Sequence, residues 1–224
     1  MRIDIKGDIV SNDDEWIYQW FEMDCVTPKN VLSAIETARN NKNERIDIYI
    51  NSGGGDVFAA SEIYSALIEY EGEVKIHVVG LAASAASVIA CAGISEISPT
   101  SMLMIHNVSG QSRGDYNVME HSAEMLKKAN KTISAAYRAK TGKSDEELLE
   151  LMNQETWFTA EDAVNMGFVD SITDTSKVRL VAADSRVLPL ETLERMKSVV
   201  SENDKLKKQN LHYKNYIMLK EKDI

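Results

Sequence analysis

The sequence is poor in cysteine, in aromatic residues, in positive charge and in long apolar stretches. Only Cys25 and Cys91 occur among the 224 residues, which excludes a disulfide framework and a zinc cluster built on cysteines. Aromatic residues make up 7% of the chain and hydrophobic residues 44%, so the expected core is sizeable and aliphatic. No apolar run reaches the length of about 18 residues that a membrane helix needs, and the first residues do not resemble a secretion signal. We therefore expect a cytoplasmic protein without a membrane segment.

Acidic residues outnumber basic ones, and the imbalance is uneven along the chain. The sequence has 35 Asp and Glu against 25 Lys and Arg, a net charge of −10, whereas nucleic-acid binding requires a basic face. Residues 184–224 hold nine basic and seven acidic residues, so residues 1–183 carry a net charge of −12. This change predicts a main domain over residues 1–183 and a tail over residues 184–224, and it argues against a nucleic-acid partner.

The tail has the apolar spacing of a helix. From Met196 to Ile217 the spacing is three and four residues, with Asn203 and Asn210 at two of the core positions. Roughly three heptads with such weak core residues make a poor coiled coil. Two interpretations stay open: a polar helix that is solvated or frayed, and a helix that binds a partner or a second copy of the chain.

The residues before the tail alternate between strand and helix patterns. Ile46, Ile48 and Ile50 alternate with two other residues, as in a half-buried strand. Thr27 followed by Pro28 is typical of a helix start. Further predicted strands cover residues 74–80, 102–105 and 168–172, and further predicted helices cover residues 57–70, residues 118–140, a segment capped by Ser144 with Glu147, and a short segment capped by Thr159. The alternation predicts an α/β fold of repeated βαβ units.

A glycine run directly follows the strand at residues 46–50. Residues 51–56 read Asn-Ser-Gly-Gly-Gly-Asp. Three consecutive glycines allow another backbone to approach closely and leave N–H groups available to a ligand. The segment is not a phosphate-binding loop, because no Gly-Lys-Ser/Thr follows it. A merely flexible turn between a strand and a helix stays open as the alternative.

Ser84 lies where a predicted strand gives way to a helix of small residues. Residues 80–87 read Gly-Leu-Ala-Ala-Ser-Ala-Ala-Ser. A serine at such a turn can place its Oγ beside helix N-terminal amides, which stabilise negative charge, and its small neighbours leave room for a substrate carbonyl. Serine is also a favoured helix cap. The sequence therefore leaves two roles open for Ser84, a nucleophile and a cap.

His106 follows the apolar strand residues Met104 and Ile105. Histidine titrates near neutral pH and can serve as a general base. A histidine at the end of a strand can equally be structural. The other three histidines lie within predicted strands or helices and are interpreted as ordinary; they are His77, His121 and His212.

Four segments, taken in order, form a specific pattern. Residues 50–55 read I-N-S-G-G-G, residues 82–86 A-A-S-A-A, residues 104–106 M-I-H, and residues 159–170 T-A-E-D-A-V-N-M-G-F-V-D. In this order and spacing they resemble the motifs of the Clp protease proteolytic subunit family, and most closely its phage and prophage form, the Clp-like head maturation protease. Gly53 stands where the housekeeping enzyme has proline. The resemblance covers residues 2–173.

The resemblance implies a ClpP/crotonase-like fold, in which the helix over residues 118–140 is a protruding handle that stacks two homo-oligomeric rings. It also implies a serine endopeptidase that acts on peptides or proteins. Ser84 matches the family's nucleophile and His106 its general base, while Glu155 falls on the position of its catalytic aspartate. The rival acid, Asp170, matches a motif aspartate that is interpreted as structural.

The remaining site residues also come from the resemblance. The amides that match the family's oxyanion hole are those of Gly55 and Ala85. The residues expected to pair with an extended peptide are Gly53, Gly54, Asp56, Asn107 and Val108. No metal and no other cofactor is implied.

The phage form implies that the substrate is a capsid or scaffold protein. The first family-like strand, residues 3–5, begins almost at Met1, whereas the housekeeping subunit has a preceding segment that docks an ATPase. We therefore expect action without an ATPase.

Two other functions stay open. An acyl-CoA hydratase or hydrolase of the related crotonase fold also uses glycine-loop amides as an oxyanion hole, but it needs no serine–histidine pair and would need a basic patch for the CoA phosphates. A catalytically idle assembly protein is the second alternative, and the chemically competent residues at positions 84, 106 and 155 disfavour it.

Overall fold

The computed structural model describes residues 1–174, so the predicted tail at 184–224 and the domain boundary at 183 lie outside the described residues. Eight strands are present in this part of the chain: β1 (Arg2–Ile9), β2 (Cys25–Val26), β3 (Ile46–Gly55), β4 (Val74–Ala83), β5 (Ile94–Ile97), β6 (Met102–Ile105), β7 (Thr156–Phe158) and β8 (Ser171–Ile172). Seven helices accompany them within the same residues: α1 (Glu15–Trp20), α2 (Pro28–Asn40), α3 (Val57–Ile68), α4 (Ala85–Ala90), α5 (Tyr116–Thr141), α6 (Asp145–Asn153) and α7 (Ala160–Asn165). The predicted α/β fold is confirmed.

The strands form one largely parallel sheet. Its main path runs β2-β1-β3-β4-β5-β8, and every pair along this path is parallel. Strand β4 is shared between two neighbours, because its first half pairs with β5 and its last residues, Leu81–Ala83, pair with Met102–Met104 of β6. Strand β7 adds to β6 in the antiparallel sense. Because parallel strands end at the same edge of a sheet, the glycine run that ends β3 lies beside the end of β4.

The core is aliphatic, as the composition predicts. Ile46, Ile48 and Ile50 of β3 are fully buried, which confirms the strand predicted from their alternation. Most of their neighbours in the core are valine, leucine, isoleucine and alanine. Tyr137 and Phe168 are the two largest fully buried side chains within the described residues, and their rings meet edge to face with centroids 5.7 Å apart.

The predicted helix starts are confirmed by their hydrogen bonds. Thr27 precedes Pro28 and its side chain accepts a bond from the Asn30 amide. Helix α6 begins with a reciprocal capping box between Ser144 and Glu147. Thr159 forms the same kind of box at the start of α7, with Asp162 as its partner. Each such cap stabilises a helix by about 1 kcal/mol.

The strand predicted over residues 168–172 is wrong except for its last two residues. Phe168 and Val169 are buried below α7 rather than paired in the sheet, and their amides bond to the carbonyl of Ala163. Only Ser171–Ile172 pair with β5. Helix α1 and strands β2, β5 and β7 are absent from the sequence prediction, because each is short and shows little periodicity.

The long helix α5 extends from Tyr116 to Thr141 and ends at Gly142, whose φ is 70°. Its first half is exposed on almost every side, while Ile133, Ala136 and Tyr137 in its second half are buried in the core. This is the arrangement of a protruding handle. Within residues 1–174, no helix combines the length and the apolar character that a membrane crossing requires.

Candidate active site

Ser84 lies in a strained turn between β4 and α4. Its φ is 54° and its ψ is −125°, a region that costs a non-glycine residue about 1–3 kcal/mol. The turn is held by two backbone hydrogen bonds: the Ser84 amide donates to the Met104 carbonyl over 2.9 Å, and the Ser84 carbonyl accepts from the Ser87 amide over 2.9 Å. The side chain makes no capping bond to α4. The structure therefore does not support the interpretation of Ser84 as a helix cap.

The Ser84 hydroxyl contacts His106 instead. The Oγ of Ser84 lies 2.8 Å from Nε2 of His106, although the two residues are 22 positions apart in sequence. The pairing of β4 with β6 explains this contact, because Leu81–Ala83 run beside Met102–Met104; Ser84 directly follows the paired residues of β4, and His106 comes two positions after those of β6. A serine is a weak nucleophile without an adjacent base, and this geometry supplies the base.

Glu155 directly precedes β7, and within residues 1–174 it has no hydrogen bond to His106. The antiparallel pairs of β6 and β7 are Leu103 with Phe158, Met104 with Trp157, and Ile105 with Thr156. One further pair would set His106 opposite Glu155, but the backbone of Glu155 turns there, with a φ of 49°. The Glu155 carboxylate instead accepts a hydrogen bond of 3.3 Å from Nε1 of Trp157. Within residues 1–174, the only side-chain hydrogen bond of His106 is the one to Ser84.

Asp170, the rival acid, is engaged in a different part of the structure. Its carboxylate accepts from the amide of Ser95 over 2.7 Å and from the ammonium group of Lys140, which also donates to the Gly93 carbonyl over 2.8 Å. Burial acts to raise the pKa of Asp170, but the hydrogen bonds from Lys140 and Ser95 outweigh it and hold that pKa below its usual value. These contacts connect β5 and α5 to the residue that directly precedes β8, so the role of Asp170 in this structure is structural.

The glycine run packs directly on the nucleophile turn. Gly54 and Gly55 have φ values of 101° and 143°, which strain any residue with a side chain. A Cβ at position 55 would lie 2.1 Å from the carbonyl oxygen of Ile9, and nothing lies within 4 Å of a Cβ built at Gly53. Ser52 connects the glycine run to β1, since its hydroxyl donates to the Gly7 carbonyl over 2.6 Å and accepts from the Gly54 amide over 3.1 Å.

A cavity of about 270 Å³ opens beside Ser84 and His106. The two residues with candidate oxyanion amides line it, as do two of the residues expected to bind peptide; these four are Gly55, Ala85, Gly53 and Val108. The rest of its wall is mostly apolar and comes from α3, α4, β6 and α5: Val57, Val88, Met104, Ile133 and Tyr137. The cavity therefore combines a nucleophile, a base, two candidate amides and an apolar pocket.

Three of the expected peptide-binding residues lie outside the lining of this cavity. Gly54 and Asp56 line a neighbouring groove, and Oδ1 of Asp56 caps helix α3 by accepting a 2.7 Å bond from the Ala59 amide. The side-chain amide of Asn107 donates to Asn153 over 2.8 Å. The side chains of Asp56 and Asn107 therefore have structural partners, and a role of these residues in pairing with a peptide backbone stays a prediction.

The sequence does not identify the part of α5 that lines the cavity. Ile133 and Tyr137 are four residues apart and lie on one face of the helix. A single tyrosine in a long amphipathic segment is expected to be buried in the core, but the sequence does not show which cavity it lines. His77, interpreted as ordinary, bonds through its two ring nitrogens to Glu96 and Asp47 over 2.8 and 2.9 Å, away from the cavity.

Comparison with known proteins points to a single family. Residues 16–176 match the family model described as Clp protease. The chain is 33% identical over 135 residues to the ATP-dependent Clp protease proteolytic subunit of Ligilactobacillus salivarius, an overlap of 59% of this chain and 68% of that protein. It is 29% identical over 136 residues to the ATP-dependent Clp protease proteolytic subunit 2 of Tropheryma whipplei, an overlap of 59% of this chain and 76% of that protein.

Proposed function

This chain belongs to the Clp protease family, and from that membership we propose that it is a serine endopeptidase with Ser84, His106 and Glu155 as its triad. The α/β fold agrees with the family, and the family indicates a peptidase. The assignment of individual residues is our own inference. The observation that carries it is the 2.8 Å contact between Oγ of Ser84 and Nε2 of His106 beside a cavity.

The proposed chemistry follows from this contact. His106 accepts the hydroxyl proton on Nε2 as Oγ of Ser84 attacks the scissile carbonyl carbon. The C–N bond then breaks as His106 returns the proton to the leaving amine, which leaves an acyl ester on Ser84. Water hydrolyses that ester with the same base, and the free serine is restored.

Glu155 supplies the orienting acid in this scheme. For Nε2 to accept a proton, Nδ1 of His106 must carry one, and a carboxylate facing Nδ1 stabilises that tautomer and the imidazolium. The last β6–β7 pair is Ile105 with Thr156, so Glu155 and His106 are the next residues beyond it. The side chain must leave Trp157, to which it is bonded over 3.3 Å, and turn toward the ring.

The oxyanion and the substrate have their own partners in the cavity. We assign the amides of Gly55 and Ala85 to the tetrahedral oxyanion, because both residues line the cavity beside Ser84 and the loss of one such donor typically lowers the rate roughly 10²–10³-fold. The apolar wall formed by Val88, Ile133 and neighbouring residues favours an apolar side chain next to the scissile bond.

A fluorophosphonate probe tests the proposal. The wild-type protein should be labelled at Ser84, and Ser84→Ala and His106→Ala should each lose labelling and peptide hydrolysis while they stay folded. Ser65→Ala, which removes an exposed hydroxyl on α3, is the matched control and should be labelled as wild type. Labelling that persists in Ser84→Ala would contradict the assignment. A protein that is never labelled would favour the idle assembly protein or the acyl-CoA enzyme.

We also propose, from the motif pattern, that the substrate is a phage or prophage capsid or scaffold protein and that the active form is a homo-oligomeric ring. Exposed apolar side chains on the first half of α5, Tyr116, Val118, Met119 and Met125, support a role of the handle in subunit contact. Co-expression with the neighbouring capsid or scaffold gene, followed by mapping of new protein termini, tests the substrate. Light scattering of the purified protein tests the assembly.

Action without an ATPase stays a prediction. The two relatives named above are called ATP-dependent. Cleavage of a folded protein substrate should proceed without ATP and without a second protein. Stimulation by a co-purifying ATPase would contradict this prediction.

A further inference from the structure

Ser87 connects the strained turn at Ser84 to the handle helix. Its amide and its hydroxyl both donate to the carbonyl oxygen of Ser84, over 2.9 and 2.6 Å. Its Oγ also lies 2.8 Å from the hydroxyl oxygen of Tyr137 on α5. Ser87 and Tyr137 are both buried. Three groups from two helices and one turn therefore form a continuous series of hydrogen bonds from Tyr137, which lines the cavity, to the backbone of Ser84.

The number of hydroxyl protons determines which group donates in each of these hydrogen bonds. Ser87 has one hydroxyl proton, and the Ser84 carbonyl can only accept. The proton of Ser87 must therefore point to Ser84, and the short contact with Tyr137 requires the tyrosine to donate to Ser87. Because the phenol donates to a hydroxyl that itself donates, each bond polarises the next and strengthens it.

Fixing the Ser84 carbonyl also fixes an amide on the other side of the same peptide. The C=O of Ser84 and the N–H of Ala85 belong to one planar peptide unit, and in the trans form they point in opposite directions. None of the described residues follows a cis peptide bond. Any rotation of this peptide unit would reorient the Ala85 amide relative to the cavity that Ala85 lines and would change the ψ of the residue that carries the nucleophile.

We propose that Ser87 and Tyr137 are positioning residues, which hold the Ser84–Ala85 peptide plane so that the Ser84 hydroxyl and the Ala85 amide both face the reacting carbonyl. The inference rests on the proposed function, because it assigns these residues to the same peptidase site. Neither residue touches the substrate carbonyl in this scheme. Tyr137 acts only through Ser87, and Ser87 acts only through the peptide plane.

Steady-state kinetics of three variants with a fluorogenic peptide test the proposal. Ser87→Ala should lower kcat between about 10-fold and 100-fold with little change in KM, because a misdirected donor harms the transition state more than the bound substrate. Tyr137→Phe should lower kcat less. The double variant should be no slower than Ser87→Ala, since Tyr137 acts through Ser87. Inhibition by a peptide boronate, which mimics the tetrahedral state, should weaken in parallel with kcat.

Two matched controls separate positioning from ordinary stability. Ser134→Ala removes a buried hydroxyl that donates to the carbonyl three residues earlier, over 2.9 Å, as Ser87 does, but on α5. Tyr70→Phe removes a buried phenol that donates to the Glu44 carbonyl over 2.6 Å. Both controls should lower the melting temperature about as much as the test variants and leave kcat unchanged.

The outcomes distinguish this inference from the proposed function. If wild type hydrolyses peptide but Ser87→Ala and Tyr137→Phe keep the kcat of their controls, or if their effects on kcat add fully in the double variant, the positioning role is wrong and the peptidase assignment survives. If wild type neither hydrolyses peptide nor reacts with fluorophosphonate at Ser84, both are wrong. Should Ser87→Ala fail to fold, Tyr137→Phe alone decides, because it keeps the ring in the core.

Discussion

Gly54 lies so close to Ser84 that a Cβ at position 54 would be 2.7 Å from the Cβ of the serine. The same added atom would be 2.8 Å from the Ala83 carbonyl oxygen and 2.9 Å from the Ala85 amide nitrogen. Real Cβ atoms do not approach this closely, and two of the three neighbours are backbone atoms that cannot move aside alone. The glycine run and the nucleophile turn are therefore fitted to each other, and the identity of residue 54 controls the position of residue 84.

The first prediction concerns this contact. Gly54→Ala should lower kcat by about 100-fold or more, because a shift of the Ser84 turn by a fraction of an ångström breaks the 2.8 Å contact with His106. It should also lower the melting temperature, since its φ of 101° strains alanine. Gly53→Ala is the control for stability: its Cβ has no neighbour within 4 Å, and it should melt as wild type does. Equal kcat for Gly54→Ala and wild type would contradict the fit.

The second prediction concerns the thiols. Burial raises the pKa of Cys91 to about 12, so at neutral pH the group is a protonated thiol inside the core and is unreactive. Iodoacetamide should leave Cys91 unmodified in the native protein and leave peptide hydrolysis intact, and it should modify both cysteines after unfolding. Mass spectrometry of native and unfolded samples measures this. Loss of hydrolysis in step with modification of Cys91 would indicate a thiol in the chemistry.

Much of the fold follows from the sequence because its main signals are local. The alternating isoleucines of β3, the Thr27 cap and the Ser144 capping box depend on neighbours within a few residues, and each appears as predicted. The sequence predicts a strand over residues 168–172, where three of the five residues, Phe168, Val169 and Ile172, are apolar. The structure buries Phe168 and Val169 below α7. Apolar residues are compatible with an irregular buried segment as well as with a strand, so their apolar character alone does not distinguish the two.

In the candidate site too, the sequence predicts what local motifs encode and misses contacts between residues that are far apart along the chain. Motifs in the sequence identify Ser84 and His106, and the structure brings the two side chains together through the pairing of β4 with β6. Ser87 and Tyr137 were not identified, because their contact joins residues 50 positions apart and no local pattern encodes it. The separation of Glu155 from His106 is likewise invisible in sequence, since the competing partner, Trp157, is two residues away and has no motif role.

The third prediction concerns acid stability. Burial acts to raise the pKa of Glu96, but hydrogen bonds from Lys75 and His77 outweigh it, and the folded-state pKa lies below the ordinary value of 4.5. Because the unfolded chain takes up the proton first, the stabilisation is present above pH 4.5 and is lost as the pH falls from there through the lower folded-state pKa. Glu96→Gln should therefore be less stable than wild type at neutral pH and should lose less stability on acidification.

Urea unfolding at a series of pH values measures this difference. Glu62→Gln removes an exposed carboxylate on α3 and is the control for the change in net charge. It should keep the wild-type dependence of stability on pH. If the free energy of unfolding of Glu96→Gln fell on acidification as much as that of wild type does, the contacts of Glu96 with Lys75 and His77 would not contribute to the stability of the folded protein.

The fourth prediction concerns the acid of the triad. Glu155→Gln should lower kcat by roughly 10²–10⁴-fold, because glutamine cannot stabilise the imidazolium and favours no single tautomer of His106. Its melting temperature should stay near that of wild type, since within residues 1–174 the carboxylate has a single, long hydrogen bond, 3.3 Å from Trp157. Trp157→Phe removes the donor that holds Glu155 away from His106, so this variant should keep or raise kcat.

Asp170→Asn is the counterpart that decides between the two acids. Asp170 holds the Ser95 amide and the Lys140 ammonium group, so its replacement should lower the melting temperature and leave the kcat of the folded protein near wild type. The two variants thus have opposite expected profiles, one catalytic and one structural. If Asp170→Asn were folded and as slow as Glu155→Gln, or if Glu155→Gln kept wild-type kcat, the acid would have to be reassigned, because register alone would then fail to bring residue 155 to the histidine.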